Sequence, residues 1–181
     1  MLIRSATERD IAEIQSIYAH HVLHGLASFE EVPPTVEEMR RRYEDVVGQG
    51  LPYLAAEEAG AVAGYGYCTL YRTRSAYRHT LEDSIYVKNG LQKKGIGKAL
   101  LAELIARCRA LNYRQISAVI GDSANTGSIA VHASLGFVRA GNLRSTGYKF
   151  GRWVDSVLMQ LPIGGGDMTP PNGGQGDGTK P

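Results

Sequence analysis

The sequence predicts a mixed α/β fold in one compact domain. Short runs of β-branched and aromatic residues alternate along the chain with segments whose apolar residues recur at helical spacing. The chain has 181 residues, of which 43% are hydrophobic and 21% charged, and these values are typical of a single soluble globular domain. The predicted element order is β-α-α-β-β-β-α-β-α-β-β, which is typical of a layered fold of helices on a sheet.

The N-terminal part is predicted to form a strand and two helices. The strand covers residues 2–4. The first helix follows a weak capping box of Thr7 and Asp10, and its apolar stripe comprises Ile11, Ile14, Tyr18 and Val22. The second helix begins after Thr35, where Glu38 completes a T-x-x-E capping box.

The remainder is predicted to supply most of the sheet. Further strands are expected over residues 54–57, 62–70, 84–87, 115–120, 137–143 and 153–161. Between them lie a helix over residues 98–110 and a shorter one over 128–135 that closes at Gly136. We assign residues 1–163 to the domain. Residues 164–181 contain seven Gly and three Pro, so we expect a flexible tail there.

Charge and composition disfavour several classes of function. The formal net charge of +2 lacks the basic excess that is typical of a nucleic-acid-binding protein. We also expect no membrane span, because no apolar run approaches about 18–20 residues, and no signal peptide. The two cysteines, Cys68 and Cys108, form no CxxC pair, so we expect a reducing, cytoplasmic location.

The most informative segment lies between the predicted strand at 84–87 and the helix that follows. It reads Gln92-Lys93-Lys94-Gly95-Ile96-Gly97-Lys98. Glycines allow a backbone to approach a ligand closely, and the first free N–H groups of a helix attract an anion. Because three lysines add positive charge, this loop is predicted to bind a pyrophosphate, although a plain glycine turn remains an alternative.

Two nucleotide-binding motifs are excluded at named positions. A Walker A loop requires Gly at the position of Gln92 and Ser or Thr at that of Ala99. A dinucleotide fingerprint requires a third Gly, where Leu100 stands. What remains is the pattern Q-x-x-G-x-G.

This pattern resembles the acetyl-CoA loop of the GNAT superfamily of N-acetyltransferases. A segment from Asn125 through His132 to Phe137 resembles the second CoA-contacting segment of that superfamily. Within the superfamily, three blocks at 71–77, 80–87 and 147–155 are most similar to the phosphinothricin and methionine sulfoximine acetyltransferases. The resemblance covers nearly all of residues 1–161. It implies a mixed, mostly antiparallel central sheet flanked by helices.

The resemblance also implies a reaction: acetyl transfer from acetyl-CoA to the α-amine of a small amino-acid analogue by direct attack on the thioester. No metal is implied. Residues expected to contact acetyl-CoA are Ile85, Tyr86, Val87, Gln92, Lys93, Lys94, Gly95, Ile96, Gly97, Lys98 and Asn125. Among them, the backbone N–H of Ile85 is expected to polarise the thioester carbonyl.

Glu82 and His132 are the candidate catalytic residues. Glu82 matches the family's proposed base, and the alternatives are a surface glutamate or its neighbour Asp83, which strand alternation directs to the other face. His132 stands where many members of the superfamily carry a tyrosine that acts as general acid. A histidine can donate a proton near pH 7, but it could instead pack on the cofactor.

Arg72, Arg74, Tyr77 and Phe29 are the candidate substrate-binding residues. Two arginines one residue apart could hold a substrate carboxylate, or they could belong to a solvated basic loop. Lys149, Arg152 and Trp153 are expected to close the pocket from a neighbouring subunit, because the family is dimeric. His20 and His24 lie one helical turn apart, but without further ligands they predict no metal site.

Two alternatives to this function stay open. One is a GNAT enzyme that acetylates a protein N-terminus, a lysine or another small amine, for which an open peptide groove would be expected. The other is a non-catalytic acyl-CoA-binding module, against which the retained Glu82 speaks.

Overall fold

The computed structural model describes residues 1–171 and confirms the predicted mixed α/β fold. The strands are β1 (Leu2–Ser5), β2 (Tyr53–Glu58), β3 (Ala61–Leu70), β4 (Thr80–Val87), β5 (Gln115–Gly121), β6 (Val138–Lys149) and β7 (Arg152–Pro162). The helices are α1 (Ile11–His24), α2 (Val36–Gly48), α3 (Ile96–Ala110) and α4 (Thr126–Ala133). Short 3₁₀ turns lie at Glu8–Asp10 and Ser75–Tyr77.

The seven strands form one sheet in the order β1-β2-β3-β4-β5-β7-β6. Within residues 1–171, β4 and β5 are the only parallel neighbours, and every other pair is antiparallel. The chain therefore crosses over through α3 between β4 and β5, as parallel strands require. The mostly antiparallel sheet agrees with the fold expected from the resemblance.

Helices cover both faces of the sheet. On one face the ring of Tyr86 packs edge-on against Tyr18 of α1 at 5.0 Å. On the other face, Cys68 of β3 meets Cys108 of α3, with 3.5 Å between the two sulfurs. The apolar stripe of α1 is buried as its spacing predicted, since Ile11, Ile14, Tyr18 and Val22 all lie in the core.

Local sequence sets where the first two helices begin. Asp10 accepts a hydrogen bond from the backbone N–H of Thr7 at 2.7 Å, as expected of the capping pair. At α2, the hydroxyl of Thr35 accepts the backbone N–H of Glu38 at 3.2 Å. Each side-chain acceptor satisfies a donor that the helix or its approach would otherwise leave free.

Several predicted boundaries are wrong by a few residues. β4 begins at Thr80 rather than at residue 84. The prediction missed this start because Glu82 and Asp83 obscure the alternating pattern to which the buried Leu81 belongs. β6 continues to Lys149 rather than ending at 143, since residues 147–149 pair with β7 again after a register shift. α3 begins at Ile96, two residues before the predicted start.

The predicted boundary after residue 163 coincides with the last buried side chain of the β7 segment, that of Ile163. Beyond it, Arg114 donates hydrogen bonds to the carbonyls of Gly166 at 2.9 Å and Thr169 at 2.6 Å. Residues 172–181 of the predicted tail lie outside the described residues. The assignment of 164–181 as a tail stays a prediction.

Candidate active site

A cleft opens in the sheet where β4 and β5 part. Their parallel pairing runs from Thr80 opposite Gln115 to Asp83 opposite Ala118. Past that point β4 continues to Val87, while β5 remains paired with β7. The cleft, called the notch below, is lined by residues 83–86 of β4, by 118–121 of β5 and by residues of α4.

The backbone of β4 presents hydrogen-bonding groups to the notch. The carbonyls of Ser84 and Tyr86 point towards β3, where they approach Gly66 and Gly64. Because successive backbone groups of a strand point to opposite sides, those of Ile85 and Val87 point away from β3, to the side where β5 has diverged. The carbonyl of Val87 accepts a hydrogen bond from Nε2 of His21 at 2.9 Å. The N–H of Ile85 thus faces the notch.

The predicted phosphate loop follows β4 directly. Gly95 precedes α3 with a φ of +83°, a left-handed conformation that favours glycine. The backbone N–H groups of Ile96, Gly97 and Lys98 belong to the first turn of α3, which leaves them free for an anion. An added Cβ at Gly97 would meet only ordinary contacts, at 3.5 Å from Val87. This helix end has the donors that a pyrophosphate requires.

Side chains of the loop complete this arrangement. Lys93, Lys94 and Lys98 are all exposed, so their ammonium groups are available to an anion. Gln92 stabilises the loop itself, because its Oε1 accepts the backbone N–H of Gly90 at 2.8 Å. Tyr86, another predicted contact, buries its ring against Tyr18 and directs its backbone to β3.

Glu82 lies on the sheet face covered by α1 and α2. Its neighbours across the sheet are Thr69 on β3 and Ser117 on β5. Burial raises the pKa of the Glu82 carboxyl; the charge of Arg72 lowers it and that of Asp83 raises it further, so the net shift is upward. A half-buried carboxylate with a raised pKa is suited to accept a proton near neutral pH.

Asp83 lies on the opposite face, as strand alternation predicted, and pairs with His132 of α4. Its Oδ2 lies 3.0 Å from Nε2 of the imidazole. Nδ1 of the same ring lies 2.8 Å from the carbonyl oxygen of Ser128. Both residues are buried and both line the notch. Oδ1 of Asp83 is also buried and lacks a hydrogen-bond partner among residues 1–171.

The two contacts of the His132 ring both favour its protonated form. A carbonyl oxygen only accepts, so Nδ1 carries a proton. Nε2 faces a carboxylate, which favours a second proton there and so favours the imidazolium. Burial by itself would lower the pKa of His132, but the hydrogen bond and charge of Asp83, with the Ser128 carbonyl, raise it on balance. The pair is thus buried and hydrogen-bonded, and its surroundings favour a proton on His132 beside the notch.

Asn125 is positioned by the start of α4. Its side-chain oxygen accepts the backbone N–H of Ser128 at 3.2 Å, so it caps the helix, and the residue also lines the notch. The cap leaves the amide nitrogen of Asn125 as the group that it can offer to a ligand.

The predicted substrate-binding residues fall into two groups. Arg72 and Arg74 are exposed, and the guanidinium of Arg72 lies 4.7 Å from the ring centre of Tyr71. Tyr77 packs edge-on against that same ring, so it belongs to the same surface. Phe29 lies elsewhere, on the loop between α1 and α2, where its ring contacts Gly121 of the notch.

Comparison with known proteins decides the family. The family model described as "Acetyltransferase (GNAT) domain" matches residues 3–158. The chain belongs to the GNAT acetyltransferase family. It is 54% identical over 169 residues to the phosphinothricin N-acetyltransferase of Alcaligenes faecalis, over 93% of this chain and 86% of that protein.

Two further comparisons agree. The GNAT chain is 38% identical over 163 residues to the L-methionine sulfoximine/L-methionine sulfone acetyltransferase of Salmonella typhimurium, over 90% of this chain and 95% of that protein. The crystal structure of a GNAT superfamily phosphinothricin acetyltransferase from Sinorhizobium meliloti in complex with AcCoA matches with a TM-score of 0.92 and 47% identity, over 96% and 94% of the two chains. The resemblance stated from the sequence is confirmed, and the protein is an acetyltransferase.

Two sets of contacts near this acetyltransferase site were not predicted from the sequence. The pairing of Asp83 with His132 had no sequence signal, because 49 positions separate them. Lys149 was expected to reach a neighbouring subunit, but its ammonium binds carbonyls of its own chain, at Gly25 and Ser28. Only its place in the third resembling block singled it out.

The rings of His20 and His24 lie 4.8 Å apart. Among residues 1–171, no three His, Cys, Asp or Glu side chains are grouped so as to hold a metal ion. Within the same residues, every helix is too short or too polar to span a membrane.

Proposed function

We propose that this enzyme transfers the acetyl group of acetyl-CoA to the α-amine of a small amino-acid analogue of the phosphinothricin, methionine sulfoximine or methionine sulfone type. The observation that carries the proposal is the arrangement of groups along β4 where it enters the notch. There, Glu82 lies on one face of β4, the Asp83–His132 pair lies on the other, and the free N–H of Ile85 lies between. The names of the relatives from Alcaligenes faecalis and Salmonella typhimurium support the substrate class.

Glu82 is the base. Only a neutral amine can attack a thioester, so the ammonium group of the acceptor must lose a proton. The raised pKa of Glu82 makes its carboxylate a stronger base for this proton transfer. Its half-buried position limits competition from water. The carboxylate takes the proton directly or through one water molecule.

Backbone groups bind and polarise the acyl donor. The N–H of Ile85 donates to the thioester carbonyl oxygen, where negative charge develops during attack. The first turn of α3 and the exposed Lys93, Lys94 and Lys98 bind the pyrophosphate of acetyl-CoA. The residues present therefore fit the donor at both its reactive and its anionic end.

The Asp83–His132 pair is the acid. When the carbon–sulfur bond breaks, the sulfur retains the electron pair and takes the proton that the pair holds. His132 is then neutral, with Nδ1–H still donated to Ser128 and the Nε2 lone pair facing Asp83. Because that arrangement is unfavourable, the ring regains a proton from solvent after the products leave.

The acceptor carboxylate is bound by Arg72 and Arg74, with Tyr77 beside them and Phe29 against the rest of the substrate. Arg72 lies close enough to Glu82 for its charge to affect that carboxyl's pKa, which supports an acceptor whose α-amine and α-carboxylate are neighbours. A guanidinium matches a carboxylate in shape and charge.

The enzyme is a homodimer in this proposal. The β6–β7 hairpin exposes large apolar side chains: Tyr148 is 58% exposed, Phe150 57% and Trp153 63%. An exposed apolar patch of this kind is typical of a protein–protein interface. Light scattering coupled to size-exclusion chromatography tests the dimer, and a monomer at assay concentration would contradict it. Trp153→Glu should shift a dimer towards monomer.

We also place the enzyme in the cytoplasm. Cys68 and Cys108 are both free and fully buried with their sulfurs 3.5 Å apart, which is consistent with a reducing compartment. Cell fractionation followed by immunoblotting tests this location.

The decisive experiment is a screen of amines with acetyl-CoA, followed by release of free thiol. Phosphinothricin, methionine sulfoximine and methionine sulfone should be acetylated. Peptides with free N-termini, lysine and polyamines are the comparison set. Faster acetylation of a peptide or of a simple amine would overturn the proposed substrate class. No thiol release with any amine would favour a non-catalytic acyl-CoA-binding module.

A further inference from the structure

Lys149 at the end of β6 is a buried cation. The residue is 2% exposed, whereas its neighbours Tyr148 and Phe150 are exposed. The ammonium lies 5.0 Å from the centre of the Phe150 ring. The ammonium donates hydrogen bonds to the carbonyl oxygens of Gly25 at 3.0 Å and Ser28 at 2.7 Å. Lys149 therefore binds both ends of the segment 25–28 from across the molecule.

That segment belongs to residues 25–31 after α1, called the acceptor loop below. The loop packs on the sheet at two glycines. A Cβ at Gly121 of β5 would collide with the carbonyl oxygen of Leu26, and a Cβ at Gly147 of β6 would lie 2.5 Å from the ring of Phe29. Ala27, between the two carbonyls that Lys149 binds, lines the notch. The loop is thus part of the wall of the notch.

A buried lysine at this position costs free energy, because its ammonium group loses contact with water. Burial lowers the pKa of Lys149, and the charges of Glu31 and Glu30 oppose that effect only in part. An apolar side chain of similar length would avoid the cost of desolvating the ammonium. It would, however, leave the Gly25 and Ser28 carbonyls without this donor. The specific gain from lysine is a fixed conformation of the loop.

We propose that Lys149 is a positioning residue that clamps the acceptor loop against β5 and β6, so that Phe29 and Ala27 form a preorganised wall for the acceptor. The clamp acts on the acceptor side, because the acceptor loop packs on Gly121 of β5 and Gly147 of β6, whereas the phosphate loop lies between β4 and α3. Preorganisation of this kind lowers the cost of ordering the loop when the acceptor binds. The inference rests on the proposed acetyl transfer at the notch.

The test uses Lys149→Met, which keeps the length of the side chain and removes the charge and both donors. We expect the kcat/KM for the acceptor to fall about 10–100-fold, chiefly through KM. The KM for acetyl-CoA should stay within about twofold. Amide hydrogen exchange of residues 25–31 should accelerate while that of α3 is unchanged. Gly147→Ala tests the position of the acceptor loop independently, because its Cβ displaces the Phe29 ring and leaves Lys149 intact.

The matched control is Arg139→Met, which removes an exposed cation from the same strand. This variant should change neither the kcat/KM for the acceptor nor the amide hydrogen exchange of residues 25–31. The inference is overturned if residues 25–31 of Lys149→Met show amide hydrogen exchange at the wild-type rate. It is also overturned if this exchange accelerates while the KM for the acceptor is unchanged. Equal losses for acceptor and acetyl-CoA would also overturn it. If the wild type acetylates none of the amino-acid analogues, the proposed substrate class fails. The exchange experiment and the KM for whichever amine is acetylated still decide the role of Lys149.

Discussion

The carboxylate of Asp83 and the imidazole of His132 form a buried pair, with 3.0 Å between Oδ2 and Nε2. Nδ1 of the same ring lies 2.8 Å from the Ser128 carbonyl oxygen, and together the two contacts raise the pKa of His132 above its ordinary value despite burial. Glu82, the residue before Asp83, lies on the opposite face of β4. Two adjacent acidic residues thus occupy separate environments. In the proposed mechanism Glu82 is the base, and Asp83 stabilises the acid His132.

Asp83→Asn should abolish the charge that favours the imidazolium. In the variant, Nε2 can accept a hydrogen bond from the asparagine N–H₂, so the neutral ring becomes favourable. We therefore expect the pKa of His132 to fall and the alkaline limb of the kcat profile to move to lower pH. The pKa is followed by NMR titration of His132, and kcat is measured across pH.

The same pair has a consequence for stability. Because the folded-state pKa of His132 is raised, its stabilising contribution is complete below the unfolded pKa and is lost as pH rises through the folded value. Asp83→Asn should remove this pH dependence from the free energy of unfolding. A variant with lower stability but an unchanged alkaline limb of kcat would show that the pair is structural only.

Glu82→Gln keeps the size of the side chain and removes its ability to accept a proton. We expect kcat to fall by about 10²–10⁴-fold at neutral pH, with little change in acetyl-CoA affinity. In the wild type, activity should be lost as pH falls through the raised pKa of Glu82, and this acid limb should disappear in the variant. Glu58→Gln, at the exposed end of β2, is the control. Near-normal turnover with the wild-type pH profile would rule out Glu82 as the base.

Gly97→Val tests the phosphate loop. Because an added Cβ at Gly97 meets only ordinary contacts, the variant should fold, but its side chain would obstruct a pyrophosphate at the first turn of α3. Loss of charge-assisted hydrogen bonds of about 1.5–3 kcal/mol corresponds to roughly 10–150-fold weaker acetyl-CoA binding. Calorimetry measures the binding, with Gly48→Val at the exposed end of α2 as the control. Unchanged affinity for acetyl-CoA would show that the pyrophosphate does not bind at this loop.

Arg72→Ala and Arg74→Ala test the carboxylate site. Wild-type enzyme should acetylate methionine sulfoximine and phosphinothricin much faster than their carboxyl-amidated forms. Each variant should narrow that difference by about tenfold, the lower end of the range for a charged hydrogen bond, because both guanidiniums are exposed to solvent. Initial rates with acid and amide provide the measurement, and Arg139→Ala is the control. Equal wild-type rates for acid and amide would contradict the carboxylate site.

Much of the fold could be predicted from local patterns. The spacing of Ile11, Ile14 and Val22 gave α1, and the T-x-x-E box gave the start of α2, because these signals act within a few residues. Boundaries were wrong where polar residues enter the sheet. In β4 the pair Glu82-Asp83 obscured the alternation of buried and exposed residues. β6 extends past residue 143 because residues 147–149 pair with β7 after a register shift.

The sequence by itself determined the chemistry that each segment can offer: a helix start rich in glycine and lysine, a carboxylate ahead of a β-branched strand, and a resemblance that names a family. The tertiary structure decided which groups meet. Asp83 reaches His132 across 49 positions, and Lys149 reaches Ser28 across 121. The notch itself depends on the divergence of two parallel strands, β4 and β5. Such contacts depend on strand order and register, which long-range pairing sets and local spacing does not encode.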